Sequence, residues 1–379
     1  MKRTIKLSLV TAVAVTGLNS IVNAKPLEEA IKGIDISGKL QYRKEYKTKN
    51  DIKNIDKNEY ELAVNVKTPI NDKVSATVEA GFYEFNTGNT IAPGNGTNGV
   101  AIDEDPAVIL SNAYFTYTSG TATVMAGKQN IPSVFVDQKD TVKTGAGLVA
   151  LYTIDGTTFA AAHFTNTNIK GSDEAHTTEL IIMDNYGAIK TSLNYNILDV
   201  LDYKSTRTSL NVDGKFGMFK AGLRVTGFSD DTKGSTEEDG GLVKLNVGAK
   251  FGTVSVGLDL AKTSEFNAKK IAIDEDSDAK VDLKTWQLSA AKLNDATVSR
   301  ISVKAKIMPK LSVGVKYATA SYTQSSVTDN KQTELLLLTT YKMSKNFSLH
   351  ARTSTLTTTL SGKDSTDNVF NRLQAKYTF

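Results

Sequence analysis

Residues 34–46, with the sequence IDISGKLQYRKEY, decide the fold class of this chain of 379 residues. One alternate set of positions is apolar and is interrupted only by Lys44: Ile34, Ile36, Gly38, Leu40, Tyr42 and Tyr46. The other set is polar: Asp35, Ser37, Lys39, Gln41, Arg43 and Glu45. Because successive side chains of a strand point to opposite faces, this pattern predicts one long strand with an apolar and a polar face. Its length is about that of a tilted strand that crosses a membrane.

The same period of two recurs along the chain and continues to its last residue. It is found in the segments 60–67, 74–83, 219–226, 301–307 and 372–379. The predicted strands average about ten or eleven residues, whereas strands of soluble proteins average about five or six. The chain ends on an aromatic residue, Phe379, which is typical of bacterial outer-membrane proteins. Together these features predict strands that cross an outer membrane.

The predicted connections alternate between short turns and long polar loops. Short turns are predicted at 68–73, 119–120, 154–156, 214–217, 252–253, 308–310 and 344–346. Long loops are predicted at 84–107, 166–176, 229–240 and 264–280. Short turns at one end of the strands and long loops at the other are a feature of outer-membrane barrels.

The number of strands requires a choice in one region. About 19 segments have strand character, but a bacterial single-chain barrel has an even number of strands. The conflict lies where 294–296 and 308–310 are both predicted as short connections. We assign 297–308 to a membrane crossing and 281–293 to a long outer loop with strand character. The chain is thereby predicted to be an all-β protein, a transmembrane antiparallel β-barrel of about 18 strands.

The first 24 residues have the pattern of a secretory signal peptide. Lys2, Arg3 and Lys6 precede a mostly apolar run at 7–18, and the small residue Ala24 ends the segment. The run is too short to span a hydrocarbon layer of about 30 Å, so an N-terminal membrane anchor is disfavoured. We predict cleavage after residue 24, an outer-membrane barrel over 25–379, and a short periplasmic segment at 25–33.

Charge and cysteine content exclude several classes of protein. Without its first 24 residues the chain holds 42 basic and 41 acidic residues. It therefore lacks the concentrated excess of basic residues that is typical of nucleic-acid-binding proteins, and we predict no nucleic-acid partner. The chain has no cysteine, which excludes disulfides, thiol catalysis and thiolate metal sites.

Several motifs resemble the major outer membrane porin family of campylobacter-type (epsilonproteobacterial) bacteria. They are KPLEEAIK at 25–32 with the following 33–38, YFTYT at 114–118, AGKQ at 126–129, 144–148, and the turn Asp155-Gly156 followed by 157–162. The resemblance covers residues 1–165 most specifically, and afterwards only the strand rhythm and the aromatic end persist. It implies a general-diffusion porin of roughly 18 strands in the Gram-negative outer membrane, usually a homotrimer.

In the family that the sequence resembles, the loop after the fifth strand folds into the lumen and narrows it. Here that loop is 130–143, and its charged residues are Asp137, Lys139, Asp140 and Lys143. Asp137 keeps its spacing from the AGKQ motif, whereas the next acidic position is shifted by one residue. The resemblance therefore implies an infolded constriction loop with altered charge positions.

The inward faces of the predicted strands carry the candidate pore-lining charges. The basic candidates are Lys39, Arg43, Arg207, Lys220, Arg224, Lys244, Lys304, Lys316, Arg352 and Arg372. The acidic candidates are Glu45, Glu61, Glu79 and Asp259. Since the first and last strands must pair, we expect Lys39, Arg43 and Arg372 to share one patch of wall. Our hypothesis is that this patch faces acids on the infolded loop and sets a transverse field, since charges lining a narrow passage govern selectivity. The alternative is that they are hydrated wall residues.

Enzyme and metal chemistry receive little support. His163, His176 and His350 form no spaced ligand motif, and no paired nucleophile and base is recognisable, so we predict that the chain is not an enzyme and has no resident cofactor. Acidic runs at 103–105 and 274–276 with Asp278 could bind Ca²⁺, but neither has the spacing of a dedicated calcium loop. The single tryptophan, Trp286, is either a loop residue or an interfacial anchor.

The sequence leaves three readings of function. A porin would pass ions and small hydrophilic solutes by diffusion, and the charged inward face favours it. A non-conducting adhesin or structural envelope protein would use the outer loops, which are only moderately long. A substrate-specific channel would be indicated by an aromatic track in the lumen, yet most tyrosines, including Tyr42, Tyr60, Tyr317 and Tyr377, are predicted to face outward.

Overall fold

The computed structural model describes the following residues: 33–50, 52–88, 108–137, 143–169, 175–201, 203–232, 238–264, 279–324 and 327–379. The chain divides into a short unit, 1–35, and a large unit, 36–379, which holds the sheet. The predicted signal peptide lies outside the described residues. Within the part of the chain that the structure describes, no helix has the length and apolar character of a membrane span.

Eighteen strands form one antiparallel sheet in which each strand pairs with its neighbours in sequence. They are β1 (Asp35–Lys49), β2 (Ile52–Pro69), β3 (Val74–Gly88), β4 (Val108–Ser119), β5 (Ala122–Asn130), β6 (Thr144–Ile154), β7 (Thr157–Thr165), β8 (Ala175–Tyr186), β9 (Ile189–Val200), β10 (Tyr203–Phe216), β11 (Phe219–Thr232), β12 (Glu238–Phe251), β13 (Val254–Thr263), β14 (Asn294–Lys306), β15 (Leu311–Gln324), β16 (Val327–Lys342), β17 (Phe347–Thr359) and β18 (Thr366–Thr378). The predicted strand number and class are thus confirmed.

The sheet closes into a barrel through a seam between β1 and β18. The register runs from Lys39 opposite Thr378 to Lys49 opposite Asn368. At the end of the seam, the N–H of Gly38 donates to the carbonyl of Phe379 at 2.9 Å, and the N–H of Phe379 donates back at 3.1 Å. A closed sheet leaves no strand edge unpaired, which is a requirement for strands in a hydrocarbon layer.

The period of two in the sequence separates the two faces of the wall. In β1, Leu40 is 50% exposed on the outer face, whereas its neighbour Gln41 is 3% exposed. Tyr42, Tyr60, Tyr317 and Tyr377 are also exposed, in agreement with their predicted outward orientation. An apolar outer face suits lipid, and a polar inner face suits a lumen.

Glycine is required at two places in the early strands. Asp155 (φ 49°) and Gly156 (φ 91°) form the predicted turn between β6 and β7, a backbone conformation typical of two-residue hairpins. Gly127 in β5 has φ 133°, and a Cβ atom there would lie 2.3 Å from the carbonyl oxygen of Ala113 on β4. The AGKQ motif therefore contains a position that only glycine fills without strain.

The region that required a choice of strands differs from prediction in two ways. Residues 294–296 are not a connection, because β14 begins at Asn294 and its pairing with β15 shifts register between Asn294 and Thr297. Asp295 has φ 42° at this irregularity. Residues 281–293 do not form a membrane-crossing strand, in agreement with the prediction. They fold into the barrel, however, whereas the prediction placed them in an outer loop.

Candidate functional site

The lumen contains a segment, residues 279–293, that we call the inner segment. Val281, Leu283 and Leu288 within it are buried, and a short 3-10 helix, Ala290–Lys292, ends it. These apolar side chains belong to the same buried cluster as wall residues Val149 and Phe164. An outer loop would expose them to water, so their burial explains why the segment folds inward.

Polar groups of the barrel wall hold the inner segment along its length. Lys244 on β12 donates from Nζ to the carbonyl of Lys280 at 2.6 Å and to that of Asp282 at 2.7 Å. Arg300 on β14 donates to the carbonyl of Lys284 at 2.5 Å. The side-chain amide of Gln287, in the inner segment, donates to the backbone carbonyl of Asn368 on β18 at 3.2 Å. Since β12 and β18 are six positions apart among eighteen strands, the segment reaches across a third of the circumference.

Glu334 on β16 is the main anchor of the inner segment. Its buried carboxylate accepts hydrogen bonds from the backbone N–H groups of Trp286 at 3.2 Å, Gln287 at 3.1 Å and Leu288 at 2.7 Å. Three donors converging on one carboxylate offset the cost of burying its charge. The carboxylate thus fixes the backbone of the segment where the segment meets the far wall.

Asp282 holds the inner segment together from within. Its carboxylate accepts from Ser289 Oγ at 2.6 Å and from the N–H of Ala291 at 2.8 Å. Burial raises its pKa above the ordinary value, against the lowering effects of these hydrogen bonds and of Lys244 and Lys284. The charged form of Asp282 therefore carries a desolvation cost that the protonated form lacks.

We expect the Asp282→Asn variant to remove a pH dependence of the inner segment. Since the folded-state pKa of Asp282 is raised, its contribution to stability is present below the ordinary pKa of a carboxyl and is lost as pH rises through the raised value. Wild-type channels should therefore show more open-channel current noise at neutral pH than at acid pH, and the variant should show the same noise at both. A variant that keeps the wild-type pH profile would contradict this assignment.

The predicted constriction loop lies against the inner segment. Ile131, Phe135 and Val136 are fully buried, and Asp137 is also buried. The N–H of Val281 donates to the carbonyl of Val134 at 3.3 Å, which joins the two segments. The backbone carbonyl of the predicted residue Lys143 accepts from the N–H of Ile131 at 2.9 Å. The other two predicted residues of this loop, Lys139 and Asp140, lie outside the described residues.

The basic residues of the first and last strands pair with carboxylates of the wall. Lys39 Nζ lies 2.5 Å from Glu61 Oε1, and Arg43 Nη1 donates to Glu59 Oε1 at 3.0 Å. Arg372 on β18 pairs with Glu45 on β1 across the seam. The named partners of this patch are therefore on β1 and β2, whereas the hypothesis drawn from the sequence placed the facing acids on the infolded loop.

Trp286 lies in the lumen beneath two arginines. Its ring stacks on Phe370 of β18 with centroids 4.2 Å apart and an interplanar angle of 16°. The Cζ atom of Arg352 lies 3.9 Å from the ring centroid, and that of Arg372 lies 5.6 Å from it. Both distances are within the range of cation–π attraction. Trp286 is thus a luminal residue of the inner segment, and the interfacial reading is wrong.

Two cavities of different charge lie on opposite sides of the lumen. The first, which we call the basic cavity, has a volume of about 630 Å³, lies against β15–β18 and β1, and its charged lining comprises Lys39, Arg43, Lys284, Lys316, Arg352, Arg372 and Lys376. The second, the mixed cavity, has a volume of about 710 Å³ and lies against β5–β11. Its charged lining comprises Lys190, Arg224, Lys280, Glu179, Asp184 and Asp213. Among the described residues, no carboxylate lines the basic cavity.

The remaining predicted residues are distributed around the wall. Arg207 is buried, and its Nη2 donates to the hydroxyl of Tyr203 at 3.4 Å. Arg224 donates from Nη1 to Ser209 Oγ at 2.8 Å. Asp259 accepts from Arg300 at 2.8 Å, and Glu79 accepts from Asn65 at 3.4 Å. Lys220 and Lys304 are exposed near the short turns that adjoin β11 and β14.

Sequence reasoning missed several charged residues of the lumen. Glu59, Arg300 and Glu334 alternate with outward apolar residues, so extending the period of two by a few positions would have placed them inward. Asp282 gave no such signal, because the inner segment is not a strand. The acidic runs at 103–105 and 274–278 lie outside the described residues, and within the described part of the chain no group of His, Asp and Glu could hold a metal ion.

Comparison with known proteins agrees with this architecture. The model of the family described as Campylobacter major outer membrane protein matches residues 1–295, more than three quarters of the chain. The outer membrane protein opdK from Pseudomonas aeruginosa has a similar fold, with a TM-score of 0.69 and 14% identity over 91% of this chain and 98% of that chain. OccK3 (OpdO) from the same organism has a TM-score of 0.68 and 17% identity, over 91% of this chain and 96% of that chain. A BenF-like porin from Pseudomonas fluorescens Pf-5 has a TM-score of 0.69 and 14% identity, over 92% of this chain and 99% of that chain. A search of curated protein sequences finds no match.

Proposed function

Because this chain belongs to the Campylobacter major outer membrane protein family and is an outer-membrane porin, we propose that its two luminal cavities form a charge-selective path for ions and small hydrophilic solutes. Diffusion through such a path needs no bond-making chemistry. Its selectivity depends on the size of the passage and on the charges along it.

The difference in charge between the two sides of the lumen carries this proposal. Seven lysines and arginines line the basic cavity, whereas three bases and three acids line the mixed cavity on the opposite wall. Such an arrangement supports an electric field directed across the passage, since low-dielectric walls concentrate field lines between them. The field proposed here opposes a basic wall to a mixed wall. It does not require acids on the constriction loop.

We expect the Lys39→Gln/Arg43→Gln variant to shift ion selectivity toward cations. Removal of two positive charges leaves the carboxylates of Glu61 and Glu59 in the wall. The ratio of anion to cation permeability should fall about two- to threefold, as judged by the reversal potential in a planar bilayer under a salt gradient.

The matched control replaces two exposed lysines near short turns, Lys250→Gln/Lys306→Gln. This pair removes the same charge at a distance from the basic cavity and should change the permeability ratio far less. Equal ratios for the wild type and the Lys39→Gln/Arg43→Gln variant would rule out the proposed field.

Export and assembly form the second part of the proposal. The pattern of residues 1–24 supports a mature protein that begins at Lys25, and the family supports a homotrimer. The intact mass of protein purified from outer membranes tests the first point. Its oligomeric mass in detergent tests the second, and conductance steps grouped in threes would agree with it. A mass that includes residues 1–24 would contradict cleavage.

A further inference from the structure

We propose that the mixed cavity is a binding subsite for small zwitterions that carry an apolar side chain, which is the chemistry of apolar amino acids and short peptides. This inference rests on the proposed diffusion path, because such a solute reaches the cavity through the lumen. It goes further in assigning one wall of the lumen to a class of solute that has no net charge.

The inner wall beside the mixed cavity is apolar on neighbouring strands. Ile181 on β8 lies opposite Ala160 on β7, and Ala160 lies opposite Leu151 on β6. All three line the cavity, together with Met125 and Met183, and we call these five residues the apolar strip. Because alanine is shorter than the residues on either side, the strip has a shallow recess. Apolar surface in a water-filled passage is stabilised when an apolar group of a solute covers it.

A pair of opposite charges borders the apolar strip. Lys190 on β9 lies opposite Asp213 on β10, and both side chains are exposed. Met183 lies opposite Ser192, which is two positions from Lys190 along β9. In an antiparallel sheet, Cβ atoms of opposite residues lie about 5 Å apart and those of diagonal neighbours about 7–8 Å apart. The side chain of one solute molecule can therefore pack on the strip while its charged groups reach Lys190 and Asp213.

The charges of the mixed cavity favour a zwitterion over a singly charged solute. Lys280 of the inner segment is exposed and adds a second cation to that of Lys190. Asp213 accepts from Asn211 at 2.5 Å, and since a carboxylate has about four acceptor sites, it can accept from a further donor. A simple anion is attracted by the lysines and repelled by Asp213, and a simple cation meets the reverse. A solute with both an ammonium and a carboxylate group is attracted by both.

The other charged residues of this lining have partners within the wall. Glu179 accepts from Asn196 at 2.7 Å, and Arg224 donates to Ser209 at 2.8 Å. Asp184 accepts from the hydroxyl of a threonine on β7 at 2.7 Å. The two exposed lysines and the exposed aspartate are therefore the charged groups that a solute meets in the cavity. The volume of about 710 Å³ falls within the range of small-molecule sites, roughly 300–1,000 Å³.

A homologous series of amino acids tests the contribution of the apolar strip. Glycine, alanine, 2-aminobutyrate, norvaline and norleucine are zwitterions whose straight side chains grow by one carbon at a time. Each would be added to wild-type channels in planar bilayers at constant salt and neutral pH, and the concentration that gives half of the maximal reduction in current would be recorded. We expect this concentration to fall about two- to fourfold with each added carbon, because each buried methylene stabilises the complex. A series in which chain length has no effect would overturn the proposal.

Two singly charged counterparts of norleucine test the need for both charges. Hexanoate lacks the ammonium group, and pentylamine lacks the carboxylate. Norleucine should act at a concentration about tenfold lower than either counterpart, because it alone is attracted by both signs of charge. The assignment to zwitterions is wrong if hexanoate or pentylamine reduces the current at the same concentration as norleucine or at a lower one.

The Lys190→Gln/Asp213→Asn variant tests the charged groups. It removes one positive and one negative charge, so the net charge of the lumen stays the same. The concentration of norleucine for half-maximal reduction should rise about tenfold. The matched control, Lys262→Gln/Asp295→Asn, removes an ion pair of 2.8 Å whose members do not line the cavity, and it should change this concentration less than about twofold. Equal responses of the wild type and of folded Lys190→Gln/Asp213→Asn would contradict the subsite.

The Leu151→Ser/Met183→Ser variant tests the apolar strip from the side of the protein. Its response to norleucine should approach its response to glycine, because the side chain of the solute has lost its apolar partner. Leu338→Ser removes a leucine that lines the basic cavity and should keep the full dependence on chain length. Heat-modifiable migration on gels verifies that each variant is folded. Folded Leu151→Ser/Met183→Ser channels with the wild-type dependence on chain length would rule out binding at the strip.

Binding measured without a membrane separates this inference from the function on which it rests. Saturation-transfer NMR of detergent-solubilised protein reports contact between the methyl group of norleucine and the protein, and the signal should be weaker for Lys190→Gln/Asp213→Asn. A channel that conducts but shows neither block nor transfer overturns the subsite and leaves the diffusion path intact. A protein that shows this transfer yet never conducts supports the subsite and overturns the diffusion path.

Discussion

The Glu334→Ala variant is expected to raise the single-channel conductance about twofold or more, because it releases the inner segment from the wall. The carboxylate accepts hydrogen bonds from three consecutive backbone N–H groups, at Trp286, Gln287 and Leu288. Hydrogen bonds to a charged group contribute about 1.5–3 kcal/mol each, so three of them make Glu334 a strong anchor of the segment. A released segment would fluctuate in the lumen, and recordings in planar bilayers should show a larger and noisier open current.

Two further variants separate release of the segment from loss of charge. Glu334→Gln keeps the shape of the side chain and one carbonyl acceptor, so its conductance should lie between those of the wild type and Glu334→Ala. Glu79→Ala removes a luminal carboxylate from β3. That carboxylate contacts Asn65 rather than the inner segment. If Glu334→Ala and Glu79→Ala both conduct like the wild type, Glu334 does not control the width of the passage.

The Gly127→Ala variant is expected to prevent most of the protein from reaching the folded barrel. Gly127 has φ 133°, and its added Cβ would meet the carbonyl oxygen of Ala113 at 2.3 Å and the Cα of Tyr114 at 2.7 Å. The backbone strain alone costs about 1–3 kcal/mol, and relief of the contact requires β4 and β5 to separate. The fraction of heat-modifiable protein on gels after refolding measures the effect.

Gly227→Ala is the matched control for Gly127→Ala. Gly227 lies within β11, and the nearest atom to an added Cβ is the carbonyl oxygen of Gly240 at 3.7 Å, an ordinary contact. This variant should refold like the wild type. Similar folded fractions for both variants would mean that the pairing of β4 with β5 tolerates a side chain at 127.

Periodicity predicted most of the barrel because lipid and lumen impose opposite requirements on alternate residues. Residues 34–46 satisfy both requirements, and the structure places them in β1. The prediction was wrong at 294–296, where short polar residues suggested a turn but β14 already begins. There the strand continues through an irregular pairing at Asp295, and a sequence does not distinguish a turn from a bulge of the same composition.

The interior of the lumen was less predictable than its wall. The inner segment has the apolar content of a strand, because Val281, Leu283 and Leu288 must be buried. Its position depends on partners remote in sequence, such as Glu334, which lies 46 positions from Leu288. No local pattern encodes such a contact. The constriction loop was located only through the family resemblance, and its contact with Val281 was not foreseen.

The seam between β1 and β18 has a consequence for the order of events during biogenesis. Gln374 donates to Gln41 across the seam at 2.9 Å, although the two residues are 333 positions apart. The strand that completes the cylinder, β18, leaves the ribosome after the other seventeen strands, so β1 has an open edge until β18 arrives. Unpaired edges recruit other chains, and contacts of such long range form slowly. The nascent polypeptide must therefore be shielded from aggregation until β18 can pair with β1.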